Sequence, residues 1–187
     1  MATLASRFYL GIDPSLRSTG IALVGSATCS VFVSQPGDIR EGERLKFHID
    51  RLKEFVQNVG EITAACIEGP SLKSQNQADG MGQIRGTFLY VLAELGIETA
   101  KIPPNSLKKF ATGSGAASKE KMVRAAQTAW PEVHFRTDDA ADAAWLAAMC
   151  RALHEDVPVT PSQLSALRGI RFANPKPRIR TSRKNNI

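Results

Sequence analysis

The sequence predicts an α/β domain built on a mixed five-stranded sheet, in which a three-stranded antiparallel meander is followed by parallel strands and helices flank the whole. Two patterns predict it. Three short extended runs open the chain with only turn residues between them, and segments of helical apolar period then alternate with short apolar runs. The 187 residues hold one domain of ordinary size plus an appendage.

The extended runs are Phe8 to Ile12, Gly20 to Val24 and Cys29 to Val33, separated by Asp13-Pro14-Ser15 and Gly25-Ser26. After the break at Pro36-Gly37, Leu45, Ile49, Leu52, Phe55, Val56 and Val59 recur at the spacing of an amphipathic helix that packs on a sheet. Thr63 to Glu68, ended by Gly69-Pro70, reads as a buried central strand with an acid at its C-terminal end. A second helix spans Gln83 to Leu95. A strand over Glu98 to Ile102 stops at Pro103-Pro104, where Asn105 or Ser106 caps a brief helical turn. Beyond a Gly-Ser-Gly loop, Ser118 caps a helix from Lys119 to Trp130, and Thr137 or Asp138 caps a last helix reaching about Leu153. Pro158 and Pro161 mark a linker, followed by at most a short helix around Ser162 to Leu167 and then disorder. Residues 1–156 therefore form the domain, and 157–187 a linker and basic C-terminal tail.

Composition narrows the class further. With 43% hydrophobic and 22% charged residues the chain is globular, and no apolar run nears the roughly 20 residues of a membrane span. Met1 to Tyr9 lacks a signal-peptide pattern, so a cytoplasmic location is expected. Cys29, Cys66 and Cys150 are odd in number and set in apolar surroundings, which suits buried thiols better than a disulfide framework or a zinc site. The net charge is +6, yet Arg168 to Ile187 holds seven Lys or Arg and no acid, so the rest of the chain is nearly neutral. That asymmetry suits an arm lying on a polyanion.

Four acids stand where solvated side chains are unusual. Asp13 and Glu68 each end an apolar strand. Asp139 and Asp142 share one face at a helix start, and Leu146, Met149 and Leu153 continue their stripe into the core. Carboxylates that prolong a core-facing stripe are costly unless a cation neutralises them. An oxygen-only set favours Mg²⁺, with Mn²⁺ able to substitute, and two ions account for four acids in a phosphodiester-cleaving site. From Lys101 to Arg124 six basic residues face one acid, Glu120, as phosphate contacts require.

These residues carry a resemblance. The run Gly11-Ile12-Asp13-Pro14-Ser15-Leu16-Arg17-Ser18-Thr19-Gly20 is similar to the opening of the RuvC family of Holliday-junction resolvases. Ile67-Glu68 resembles that family's second acidic strand, Gly82-Gln83-Ile84-Arg85-Gly86 its Gly-Gln-x-Arg-Gly segment, and Asp139-Ala140-Ala141-Asp142 its final Asp-x-x-Asp helix. The resemblance implies an RNase H-like nuclease domain over residues 1–156, with Asp13, Glu68, Asp139 and Asp142 as catalytic metal ligands. It also implies a homodimer acting on four-way or other branched DNA. Lys108 and Lys119 match the family's basic positions. With Lys109, Arg17 and Arg85, and with Arg168, Arg171, Lys176, Arg178 and Arg180 of the tail, they are candidate DNA contacts.

Two departures from the family pattern stand out. Ser15 occupies the place of a usual glycine, and the loop after Glu68 lacks the aromatic that cellular members insert near the junction centre. Rival readings are a YqgF-like RNA-processing nuclease, an actin-like ATPase, which needs two such domains, and a non-catalytic DNA-binding protein, which leaves four placed carboxylates unexplained.

Overall fold

The computed structural model describes residues 7–57, 59–70 and 78–173. The meander is β1 (Phe8–Asp13), β2 (Thr19–Val24) and β3 (Cys29–Ser34), followed by α1 (Glu41–Gln57), β4 (Ile62–Glu68), α2 (Ala78–Glu94) and β5 (Glu98–Ile102). Then come α3 (Pro104–Thr112), α4 (Lys119–Ala129), α5 (Asp138–His154), α6 (Pro161–Leu167) and β6 (Phe172–Ala173). The sheet order is β3-β2-β1-β4-β5-β6. Strand β1 pairs antiparallel with β2 and parallel with β4, and β4 pairs parallel with β5.

Strand alternation divides the core into two layers. Leu10 and Ile12 of β1 and Ala65 and Ile67 of β4 face Leu52 of α1 and Ile84, Phe88 and Leu92 of α2. Tyr9, Ala64 and Cys66 face the opposite way, into a layer formed by α3 to α6. Both faces are covered, which is why β1 and β4 read as unbroken apolar runs. The same alternation aims Asp13 and Glu68, at the ends of their strands, toward the α5 face.

Helix α5 lies unusually close to the sheet. A Cβ at Gly11 would stand 2.0 Å from the carbonyl oxygen of Ala143, and one at Gly20 would stand 2.0 Å from that of Asp139. Two glycines on the sheet and the buried alanines Ala140, Ala143, Ala144 and Ala147 on the helix let the backbones approach. The close contact carries the first turn of α5 to the end of β1.

The structure corrects the sequence reading in several places. The sheet has six strands rather than five, because β6 pairs antiparallel with β5 through Thr99 and Ala100. Two residues are too few to show a period, and their segment falls where disorder was expected. The predicted brief turn after Pro103 is a nine-residue helix, α3, and neither Asn105 nor Ser106 caps it. Pro104 at its first position has a preset φ and no N–H to satisfy, so no capping side chain is required. Helix α2 begins at Ala78, five residues before the expected start. Gly80 and Gly82 weaken the helical signal there. The expected caps Ser118 and Thr137 do accept from Lys121 N and Ala140 N. Among the described residues no helix is long and apolar enough to cross a membrane. Much of the loop after Glu68, and Lys176, Arg178 and Arg180, lie outside the described residues.

Candidate active site

One pole of the sheet collects the four acids. Asp13 ends β1, Glu68 ends the neighbouring parallel strand β4, and Asp139 and Asp142 occupy the first two turns of α5, which packs across both strands. The carboxyls of Asp13 and Glu68 lie close enough for each to shift the other's titration. Burial pushes the Asp13 carboxyl well above its ordinary value, and the charges of Glu68, Asp142 and Asp139 push it further. Burial also raises Glu68, against the opposing influence of the neighbouring Asp13 carboxyl and of the charges of Arg85 and Lys108. Asp142 is pushed up to about 7, by burial first and then by Glu68, Asp138 and Asp139. Its Oδ1 is buried without a hydrogen-bond partner. Burial raises Asp139 too, opposed by a hydrogen bond from Ser18. The acids are close enough to couple, yet no three acidic, His or Cys side chains among the described residues are gathered tightly enough to hold an ion as they stand.

The turn that presents Asp13 is built from hydroxyls where the family pattern has glycine. Ser15 Oγ accepts from the backbone N–H groups of Arg17 and Ser18, while Thr19 Oγ1 accepts from Ser15 N at 3.1 Å and donates to Ser15 O at 2.7 Å. These bonds close the turn without a glycine's conformational freedom. Behind it, the buried His48 bonds Ser34 Oγ at 2.8 Å and reaches the carbonyl of Leu16, tying α1 to β3 and to the turn.

The predicted basic residues divide by what they touch. Lys108 is half-buried, and its charge lowers both Glu68 and Asp142, so it faces the acids. Lys109, one position on, turns instead to α6, donating to Ser165 Oγ at 2.9 Å. Arg85 donates to the carbonyls of Glu68 at 3.0 Å and Gly69 at 3.4 Å, fixing the chain just where β4 delivers its acid. Lys119 forms an ion pair with Asp138, which raises its pKa. Arg17, Arg168 and Arg171 are exposed.

Beside Asp139 an open cleft of about 740 Å³ is lined by Ser18, Gln35, Lys119, Arg124, Arg136 and Asp138 among others. Sequence reasoning passed over Gln35 and Arg136, counted Arg124 only within a basic stretch, and gave Ser18 no role of its own. Ser18 lies inside the first motif, but its partner Asp139 is 121 positions away, and only the fold brings the two together.

A mixed sheet in this order, with acids ending its two central strands and two more on the helix that crosses them, defines the RNase H-like class. Within that class, the family model described as crossover junction endodeoxyribonuclease RuvC matches residues 9–151, and the chain belongs to that family. Among its relatives, the crossover junction endodeoxyribonuclease RuvC of Sinorhizobium medicae is 31% identical, over 86% of this chain and 98% of its own. That of Gluconacetobacter diazotrophicus is 34% identical, over 78% of this chain and 89% of its own. A solved structure of T. thermophilus RuvC in complex with Holliday junction substrate superposes with a TM-score of 0.64 at 22% identity, covering 76% of this chain and 90% of that one. The Thermus thermophilus RuvC structure gives a TM-score of 0.60, also at 22% identity, over 74% and 89%. These superpositions agree with the RNase H-like fold.

Proposed function

We propose that the protein is a metal-dependent endonuclease of the cytoplasm that hydrolyses phosphodiester bonds of four-way DNA junctions, working as a homodimer. The observation that carries this reading is the gathering of Asp13, Glu68, Asp139 and Asp142 from three elements at one pole of the sheet. Their donor atoms are all oxygen, and the buried, unpartnered Oδ1 of Asp142 is an acceptor that the protein leaves without a donor. Such a set fits hard divalent cations, Mg²⁺ with Mn²⁺ as substitute, and these four carboxylates would hold them. Two ions bound there would supply activation of the attacking water and stabilisation of the leaving oxygen.

The remaining residues hold and orient. Lys108 lies against the acids and would keep a phosphate oxyanion beside them, while Arg85 anchors the backbone that carries Glu68. Lys119, Arg124 and Arg136 line the adjoining cleft as contacts for the neighbouring strand. Each chain provides one acidic cluster, and resolving a junction takes two cuts, hence the homodimer.

The test is a gel assay with four-way, three-way and linear DNA in Mg²⁺, with light scattering on the free protein and on the complex. Paired nicks in the four-way junction and a dimer mass are expected. Asp13→Asn and Glu68→Gln should abolish cleavage but keep junction binding, since each removes a cation ligand and no phosphate contact. Near-normal cleavage by either variant would sink the site assignment, and a monomer mass on the junction would sink the dimer.

A further inference from the structure

We infer that Ser18 is a positioning residue for the acidic site: its hydroxyl fixes one oxygen of Asp139 so that the other is held ready for a cation. The inference rests on the reading of the four acids as cation ligands. Ser18 Oγ donates to Asp139 Oδ2 at 2.5 Å, joining the β1–β2 turn to the first turn of α5. Gln35 Nε2 donates in turn to Ser18 Oγ at 3.4 Å, a weaker bond that occupies a lone pair of the hydroxyl and leaves its proton for Asp139. With Oδ2 engaged, rotation of the Asp139 carboxylate is restrained.

The backbone on both sides of this bond is fixed independently. Ser18 N donates to Ser15 Oγ, Thr19 is fully buried, and Gly20 packs directly against the Asp139 carbonyl. The donor therefore starts from a rigid place and meets a rigid acceptor, which makes the bond a device for orientation. Its chemistry also suits the task. A hydroxyl is a neutral donor, so it steers the carboxylate without cancelling the negative charge a cation needs, whereas the lysine nearby is paired with Asp138. Asp142 provides the contrast, since its Oδ1 has no such partner. Outer partners of this kind commonly change metal affinity by about 10- to 100-fold when removed.

The experiment compares the full chain with Ser18→Ala and Ser18→Thr. Mn²⁺ binding to the DNA-free protein is measured by calorimetry, and the Mg²⁺ concentration for half-maximal junction cleavage is measured alongside. Ser18→Ala should bind Mn²⁺ about tenfold more weakly and need about tenfold more Mg²⁺, with cleavage recovering at saturating metal. Ser18→Thr, which keeps the hydroxyl, should restore both values. Junction binding in the presence of EDTA should be the same for all three. Unchanged Mn²⁺ affinity and Mg²⁺ requirement in Ser18→Ala would overturn the positioning role while leaving the nuclease reading intact. A deficit that Thr does not rescue and that tracks a lower melting temperature would also overturn it, in favour of a purely structural role. A wild-type chain that takes up no Mn²⁺ overturns the parent reading and this one together.

Discussion

Asp142 shows how the site's chemistry is bought with stability. Its carboxyl, normally near 3.8, is pushed up to about 7 by burial and by three neighbouring acids. The folded state therefore binds this proton more tightly than the unfolded chain does, and the stability it lends is full below about 3.8 and lost as pH rises toward 7. At neutral pH without divalent cation the site strains the fold, by an upper bound of about 4 kcal/mol at 1.36 kcal/mol per pKa unit. Asp142→Asn should raise the melting temperature at pH 7–8 in EDTA while abolishing cleavage, and the gain should shrink toward pH 4. A lower melting temperature in the variant at pH 8 would contradict this assignment of strain. The neighbouring pair tests register at single-residue resolution. Asp138 is committed to Lys119 and Asp139 to Ser18, so Asp138→Asn should retain cleavage and Asp139→Asn should lose it. The reverse result in the same gel assay would put the wrong carboxylate in the site. The four acids were legible in the sequence because each ends or prolongs an apolar pattern. Ser18 and Gln35 were not, because a hydrogen bond across 121 positions leaves no local trace.

At the scale of elements, the site depends on how closely α5 approaches β1 and β2. Gly20→Ala would place a methyl group 2.0 Å from the Asp139 carbonyl oxygen, a backbone atom that cannot swing aside. Helix and strand must then separate locally, at a cost of about 1–3 kcal/mol or more. The expected result is a lower melting temperature together with a loss of cleavage larger than the remaining folded fraction explains, since the displaced start of α5 carries Asp139 in its first turn and Asp142 in its second. Activity per folded molecule equal to wild type would show that the close approach matters only for stability. The same interface explains which elements sequence patterns reveal. Strands β1 and β4, buried on both faces, announce themselves as continuous apolar runs, and the capped helices α4 and α5 begin where their hydroxyl caps predict. The start of α2 is masked by glycines whose helical state is secured by burying Ile84, Phe88 and Leu92, a tertiary effect that outweighs propensity.

Across the whole molecule, the described part of the C-terminal segment reaches Ala173. Up to that residue it packs on the domain: α6 packs against α3, Lys109 bonds Ser165, and the Phe172 ring meets His154 edge-on at 4.5 Å while β6 pairs with β5. Strand β6 runs antiparallel to β5, so the chain heads there toward the pole opposite the acids. Lys176, Arg178, Arg180, Arg183 and Lys184 follow, with no acid among residues 174–187. Truncation after Ala173 should therefore leave the melting temperature and low-salt cleavage unchanged, while weakening junction and linear duplex binding by similar factors. Counterion release contributes about −0.9 to the log-log salt slope per phosphate neutralised, so five cations can flatten that slope by at most about 4.5. Truncation after Leu167 should do the same and also lower the melting temperature, because it strips β6 and the Phe172 contact, worth about 1–2 kcal/mol of apolar burial. Binding titrations from low to high salt on both truncations, with parallel melts, separate the two roles. An unchanged slope after removal of residues 174–187 would reduce those cations to a solubility function, and selective loss of junction binding would show that they read branch geometry.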